Sequence, residues 1–199
     1  LKETLLRDGN FSVVMTREED VFVPLETRTS IARAAGAQVF LSLHADAIAE
    51  GEAVGATIYR LSEDASDEAS RALAERHDRD DLLSGVDLTE QDDLVATVLM
   101  DMARTETEPR IDRLAATLQA SLQGAGILMH RHPIQSADFS VLKSPDIPSV
   151  LIEVGFLSSA DDLARLVDPA WRAQFAEAIR AGLATWARDE AALTALRKN

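Results

Sequence analysis

Short apolar runs constrain the fold of this 199-residue chain more than any other feature of its sequence. Val39–Leu43 and Ser149–Val154 have the length and composition of buried strands, and Pro148 introduces the second of them. Ala53–Leu61 predicts another strand, and Phe11–Thr16 predicts a further one near the start of the chain. The runs are too short for helices, so they predict a sheet.

Segments with helical spacing alternate with these strands. Helices are predicted from Leu1 to Arg7, from Pro24 to Ala35, over 66–77, 90–104 and 110–124, and from Asp168 to Ala187. Asp168 is a suitable N-cap, and Pro169 suits the first helical position after it. Strands that alternate with helices predict an α/β fold with helices on both faces of one sheet.

Composition restricts the function. The net charge of −14 disfavours binding to nucleic acid, because phosphates would be repelled. The chain has no cysteine, so any metal ion must be held by histidines and carboxylates. No apolar run approaches the roughly 18 residues of a membrane-spanning helix, so no transmembrane segment is expected.

Two polar residues stand at the carboxyl ends of predicted strands, where α/β sheets bind their ligands. His44 follows Val39–Leu43 and lies two residues before Asp46, and Glu153 lies late in the last apolar run. Each has a structural alternative, since His44 could be a core or surface histidine and Glu153 could pair with an arginine. His130 and His132 could share a metal, although alternation on a strand would separate them. His77 lies in an acidic segment and is interpreted as solvated.

Several segments in order resemble the amidase-3 family of N-acetylmuramoyl-L-alanine amidases. The similar segments are Val14–Asp20, Leu25–Arg28, Ser42–Ala47, Arg131–Pro133, Phe139–Lys143 and Pro148–Ser159. The resemblance implies a twisted, mostly parallel sheet flanked by helices. It also implies zinc-dependent hydrolysis of the amide between N-acetylmuramic acid and L-alanine in peptidoglycan, in cell-wall remodelling and daughter-cell separation.

The resemblance assigns His44 as a zinc ligand and Glu153 as the catalytic glutamate. The family's other two zinc ligands, a histidine in a Gly-His-Gly-Gly-like loop and a following glutamate, have no match in this sequence. We therefore expect an amidase catalytic domain over residues 1–187 that lacks its N-terminal strand, with a tail over 188–199. This fragment is expected to be inactive by itself, and the family's substrate implies a periplasmic location.

Residues 61–104 form an acidic insertion. Thirteen acidic and four basic residues give it a net charge of −9. The resemblance implies a regulatory segment that covers the active site until a LytM-type activator binds. Glu68 and Asp67 are the candidate carboxylates that would face the zinc, with Glu63 and Asp64 as close alternatives. An apolar stripe (Leu94, Val95, Val98, Leu99 and Met102) is the candidate docking surface, unless it packs against the domain.

Two other functions are compatible with the residues. A metallo-phosphoesterase could use His44 and Asp46, although it would need more clustered ligands than the sequence offers. A non-catalytic wall-binding or regulatory module would not need the unmatched zinc ligands. Zinc that binds only when those ligands are supplied would favour the amidase.

Overall fold

The computed structural model describes residues 1–47, 53–83 and 94–197, with backbone alone at 79–83 and 94–103. Four strands form one sheet in the order β1-β4-β2-β3. They are β1 (Phe40–His44), β2 (Ala56–Leu61), β3 (Met129–Ala137) and β4 (Ser149–Glu153). β1 pairs with β4 and β2 pairs with β3 in parallel, whereas β2 and β4 run antiparallel. The predicted α/β fold with a mostly parallel sheet is confirmed.

Six helices accompany the sheet within the described residues. They are α1 (Lys2–Asp8), α2 (Leu25–Ala34), α3 (Glu68–Leu83), α4 (Leu94–Gly124), α5 (Ala160–Val167) and α6 (Pro169–Arg197). Gly9 ends α1 with a positive φ of 79°, a conformation that glycine adopts without steric cost. Asp168 accepts a hydrogen bond from the Ala170 N–H at the start of α6, as the sequence predicts. No helix in the described part of the chain is long and apolar enough to cross a membrane.

The structure differs from the prediction at three places. Phe11–Thr16 is not a strand, because a strand needs a hydrogen-bonded neighbour and none of the described residues pairs with it. From residue 94 onward, the helices predicted over 90–104 and 110–124 are parts of one helix, α4, which continues through Pro109, whereas residues 90–93 lie outside the described residues. α6 extends beyond Ala187 to Arg197, so most of the predicted tail is helical.

Alternate side chains of the sheet enter two different cores. On one face, Ile58 and Ile152 pack in a cluster with Leu118 of α4 and Ile179 of α6. On the other face, the buried side chains belong to the strands, to α3 and to the segment that follows β3. This second cluster contains Tyr59, Leu73, Ala74, Ala137, Phe139, Leu142 and Leu151. Alternate side chains of a strand point to opposite faces of the sheet, so the two clusters lie on opposite faces. α3 therefore packs on the face opposite to α4 and α6.

Candidate metal centre

His44 and Glu153 are the last residues of two adjacent strands. They are register partners in the parallel β1–β4 pair, so both side chains stand at the same edge of the sheet. The Val154 N–H donates to the His44 carbonyl over 2.9 Å and continues this pairing past the strand ends. Apolar strands that each finish on a polar residue therefore bring an imidazole and a carboxylate together.

The turn after β1 adds a second carboxylate, that of Asp46. Its backbone N–H donates to Oε2 of Glu153 at 3.1 Å, and its carbonyl accepts from the Leu157 N–H at 2.8 Å. The backbone of this turn is thus tied to the segment that follows β4. The His44-x-Asp46 spacing carries both side chains to the site because the turn is held at both ends.

His77 reaches the same place from α3. Its Nε2 lies 2.6 Å from Oδ2 of Asp46 and 3.7 Å from Oε1 of Glu153, and its ring centroid lies 4.4 Å from that of His44. Its side chain is only 12% exposed. The interpretation of His77 as a solvated residue is therefore wrong.

A sequence signal for His77 does exist. Ser70, Leu73 and Ala74 are buried on the face of α3 that meets the sheet, and His77 continues this face at helical spacing. The acidic residues around His77 hide this pattern. The Arg76 guanidinium donates to the Ala47 carbonyl and attaches α3 to the turn beside the site.

The two candidate inhibitory carboxylates lie elsewhere, at the start of α3 and just before it. Asp67 accepts hydrogen bonds from the Ser70 N–H and hydroxyl at the start of the helix, and Glu68 pairs with Arg71 on the exposed side. The structure brings neither into the cluster of His44, Asp46, His77 and Glu153. Glu63 and Asp64 are exposed. The whole candidate docking stripe, from Leu94 to Met102, lies where side chains are not described.

The charges of the cluster are strongly coupled. Burial, with the neighbouring His77, lowers the pKa of His44 to about 4. Burial also opposes protonation of His77, but the carboxylates of Asp46 and Glu153 raise its pKa to about 9. Burial raises the pKa of Glu153, whereas the contact with His77 lowers that of Asp46. At neutral pH one imidazole is neutral and the other is cationic.

The cluster has the chemistry of a metal centre. One ligand atom from each of His44, Asp46, His77 and Glu153 lies within 4.8 Å of the others. Oε1 of Glu153 is buried and accepts no hydrogen bond within the described ranges, and its near polar neighbour is Nε2 of His77 at 3.7 Å. Imidazole nitrogen and carboxylate oxygen are ligands that zinc accepts. The residues present therefore fit a zinc ion.

His130 and His132 are not part of this cluster. Their rings lie 6.0 Å apart near the start of β3, and Nδ1 of His130 accepts from the His132 N–H at 3.2 Å. His130 is partly buried and His132 is exposed. No metal-binding group that includes them occurs in the part of the chain that the structure describes.

The fold and the cluster define an α/β domain with a candidate metal centre at the edge of its sheet. The chain belongs to the N-acetylmuramoyl-L-alanine amidase family Amidase_3, whose pattern matches residues 1–185. It is 33% identical over 97% of its length to N-acetylmuramoyl-L-alanine amidase AmiC of Escherichia coli O6:H1 (strain CFT073). It is 34% identical over 92% of its length to AmiA of Escherichia coli (strain K12), which bears the same enzyme name.

Solved structures of amidases share the fold. The N-acetylmuramoyl-L-alanine amidase AmiC2 of Nostoc punctiforme matches 94% of this chain and 79% of its own, with 21% identity and a TM-score of 0.60. The CwlD amidase of Clostridioides difficile, solved in complex with the GerS lipoprotein, matches 94% and 82%, with 18% identity and a TM-score of 0.63. The chain spans 46% of the length of the AmiC relative and 63% of the AmiA relative.

Proposed function

We propose that this chain is the catalytic part of a zinc-dependent N-acetylmuramoyl-L-alanine amidase. The enzyme would hydrolyse the amide between N-acetylmuramic acid and L-alanine in peptidoglycan. The observation that carries the proposal is the convergence of His44, Asp46, His77 and Glu153 at the carboxyl ends of β1 and β4, in a chain of the amidase family. The periplasm and the separation of daughter cells are the proposed setting, since peptidoglycan is the substrate that the relatives' names imply.

His44 is the proposed resident zinc ligand, Asp46 offers a carboxylate oxygen, and His77 offers a nitrogen when its imidazole is deprotonated. Bound zinc would polarise the lactyl carbonyl and acidify a water molecule. The low pKa of His44 keeps its imidazole neutral at pH 7, which is the form that binds metal.

Glu153 is the proposed general base. Its carboxylate would take a proton from the attacking water and deliver it to the L-alanine nitrogen that leaves. Burial raises its pKa towards neutrality, which makes it a better proton acceptor than an exposed glutamate. The Asp46 N–H on Oε2 orients the carboxylate and leaves Oε1 available.

Residues 61–104 are the proposed autoinhibitory segment, and the structure suggests His77 rather than Glu68 or Asp67 as the side chain that reaches the site. His77 occupies the space between Asp46 and Glu153, where a substrate carbonyl and water would have to enter. A LytM-type activator that binds this segment is the proposed partner. Moving such a switch from nearly closed to nearly open requires about 5.5 kcal/mol of preference for the open state.

The activity is tested on purified sacculi with the enzyme expressed from its complete gene. Mass spectrometry of the products should find stem peptides with a free L-alanine amino group and glycan strands whose lactyl groups end in a free carboxylate. Removal of zinc with a chelator should abolish the release of stem peptides, and added zinc should restore it. Binding to sacculi without release of peptides would favour the non-catalytic alternative.

The regulatory role is tested by deleting residues 64–104 and closing the gap with a short Gly/Ser linker. Autoinhibition requires this deletion to raise the basal hydrolysis of sacculi without any activator. Equal or lower activity from a folded, zinc-loaded deletion protein would contradict it.

A further inference from the structure

Thr57 lies directly opposite Glu153 in the sheet. The two residues are register partners in the antiparallel β2–β4 pair. Directly opposite residues of such a pair point to the same face, with their β-carbons about 4.5–5.5 Å apart. Tyr59 and Leu151, two residues along each strand, lie on this face in the cluster that contains Leu73 of α3. Thr57 therefore lies beside Glu153, on the side of the sheet that α3 covers.

Both side chains are fully buried, and each has a polar atom that makes no hydrogen bond, although Oε1 of Glu153 faces Nε2 of His77 at 3.7 Å. Thr57 and Glu153 have 0% exposure, and within the described ranges neither Oγ1 of Thr57 nor Oε1 of Glu153 has a hydrogen-bond partner. The other carboxylate oxygen, Oε2, already accepts from the Asp46 N–H. A buried hydroxyl without a partner is unfavourable, and buried polar groups in native proteins are nearly always paired.

We propose that Thr57 is a positioning residue for Glu153, with its hydroxyl donating to Oε1 when the site is assembled for reaction. A rotation about the Thr57 χ1 bond changes the direction of the hydroxyl without moving the strands. The inference rests on the proposed function, in which Glu153 is the base.

The proposed hydrogen bond would orient the Glu153 carboxylate for the reaction. With Oε2 held by the Asp46 N–H and Oε1 held by Thr57, both oxygens of the carboxylate have fixed positions. A carboxylate has about four lone-pair sites, so two donors still leave room for the water that it must deprotonate. Thr57 touches neither the substrate nor the water in this role and acts through Glu153.

Two substitutions of Thr57 separate this role from a packing role. T57V keeps the shape and removes the hydroxyl, whereas T57S keeps the hydroxyl and removes a methyl group. We expect T57V to lower kcat about tenfold to a hundredfold with KM little changed, which corresponds to a lost hydrogen bond to a charged group. T57S should recover most of that loss in kcat although its thermal midpoint falls.

A packing role predicts the reverse order. T57V would then be as stable and as active as the wild type, and T57S would be the poorer variant in both measurements. That result overturns the proposal. Thr107 provides the matched control, because it is buried in α4 and its hydroxyl donates to the Pro145 carbonyl at 2.9 Å, outside the cluster. T107V should lower the thermal midpoint and leave kcat unchanged.

A measurement without catalysis distinguishes failure of this inference from failure of the proposed function. T57V is introduced into the zinc-loaded wild type and into the zinc-loaded E153M variant, so that thermal unfolding starts from the assembled site, and in E153M the side chain at position 153 cannot accept the hydrogen bond. If the two side chains interact, T57V raises the thermal midpoint in the E153M background and fails to do so in the wild type. Equal shifts in both backgrounds overturn the inference, whether or not the enzyme cleaves sacculi.

Discussion

Glu153 is a carboxylate with no solvent exposure at the end of a strand whose other side chains are also buried. Burial of a charge is unfavourable unless neighbouring groups compensate for it. The compensating groups here are the Asp46 N–H and the imidazole of His77, 3.7 Å away. Replacement of Glu153 by glutamine therefore changes the chemistry of the side chain with little change in its shape.

We predict that E153Q retains zinc and loses hydrolysis, because glutamine has the size of glutamate but cannot accept the proton from water. Loss of a general base lowers kcat by about 10²–10⁴. The measurements are kcat on purified sacculi and the zinc content of the purified variant. Near-normal turnover by E153Q would remove Glu153 from the proposed role.

H44A serves as the contrasting variant for this prediction. It removes an imidazole that is a ligand candidate, so zinc affinity should fall, and activity with it. Competition with a chelator measures this affinity directly. The pair E153Q and H44A thus separates loss of the base from loss of the metal.

Two of the four cluster residues follow from the sequence by a simple rule. His44 and Glu153 each end an apolar run, and strand ends of an α/β sheet share one edge. Asp46 is visible only as a short His-x-Asp spacing, which is weak by itself. His77 is missed because its contact with Asp46 depends on how α3 packs on the sheet, and acidic neighbours disguise its buried face.

At the scale of elements, α3 and α4 have different places in the fold. Both lie between β2 and β3 in the chain, but α3 packs on the face with Tyr59 and Leu151, and α4 packs on the face with Ile58 and Ile152. α4 has 31 residues, which is enough to make the crossover between the two parallel strands. α3 is thus additional to the connection; it packs Leu73 and Ala74 into the second cluster and places His77 beside Asp46.

We predict that H77A raises the basal hydrolysis of sacculi about tenfold or more. The substitution removes the contact with Asp46 and so weakens the docking of α3 over the site, and each 1.4 kcal/mol of lost docking energy is a tenfold gain in the open population. Arg71 offers a control on the same helix, because it pairs with Glu68 and Glu75 on the exposed side. R71A should leave basal activity unchanged. A fall in activity for zinc-loaded H77A would make His77 part of the working site.

The errors in element prediction also have local causes. Phe11–Thr16 has a strand-like composition, but composition does not supply a neighbouring strand. Pro109 would normally end a helix, yet α4 continues through it because the following turns place Leu114, Leu118 and Leu122 in the core. Tertiary packing decides both cases, and a single sequence does not show it.

At the scale of the whole molecule, the long helices α4 and α6 pack closely beside the sheet. A β-carbon at Gly182 of α6 would lie 3.1 Å from Cδ2 and 3.3 Å from Cα of Leu118, so the absence of a side chain permits this approach. Leu118 is fully buried and lies in the larger core cluster. The packing of α4 and α6 on the opposite face therefore stabilises the sheet that carries the site.

We predict that L118A lowers the free energy of unfolding by about 2–5 kcal/mol, because it deletes a buried side chain and leaves a cavity. Denaturant titration followed by circular dichroism measures this change. L196A provides the comparison, since Leu196 is 72% exposed and its truncation should cost less than about 0.5 kcal/mol. A loss below about 1 kcal/mol for L118A would contradict the packing described here.

The separation of α3 from the α4 crossover has a consequence for how this protein can vary. A surface connection can be lengthened cheaply, because each doubling of a flexible loop costs only about 0.6 kcal/mol in closure entropy. Insertions or deletions between β2 and α4 therefore need not alter the strand register that joins His44 to Glu153. Natural selection, or a protein engineer, can then adjust the proposed control by α3 and the proposed chemistry of the cluster through separate stretches of sequence.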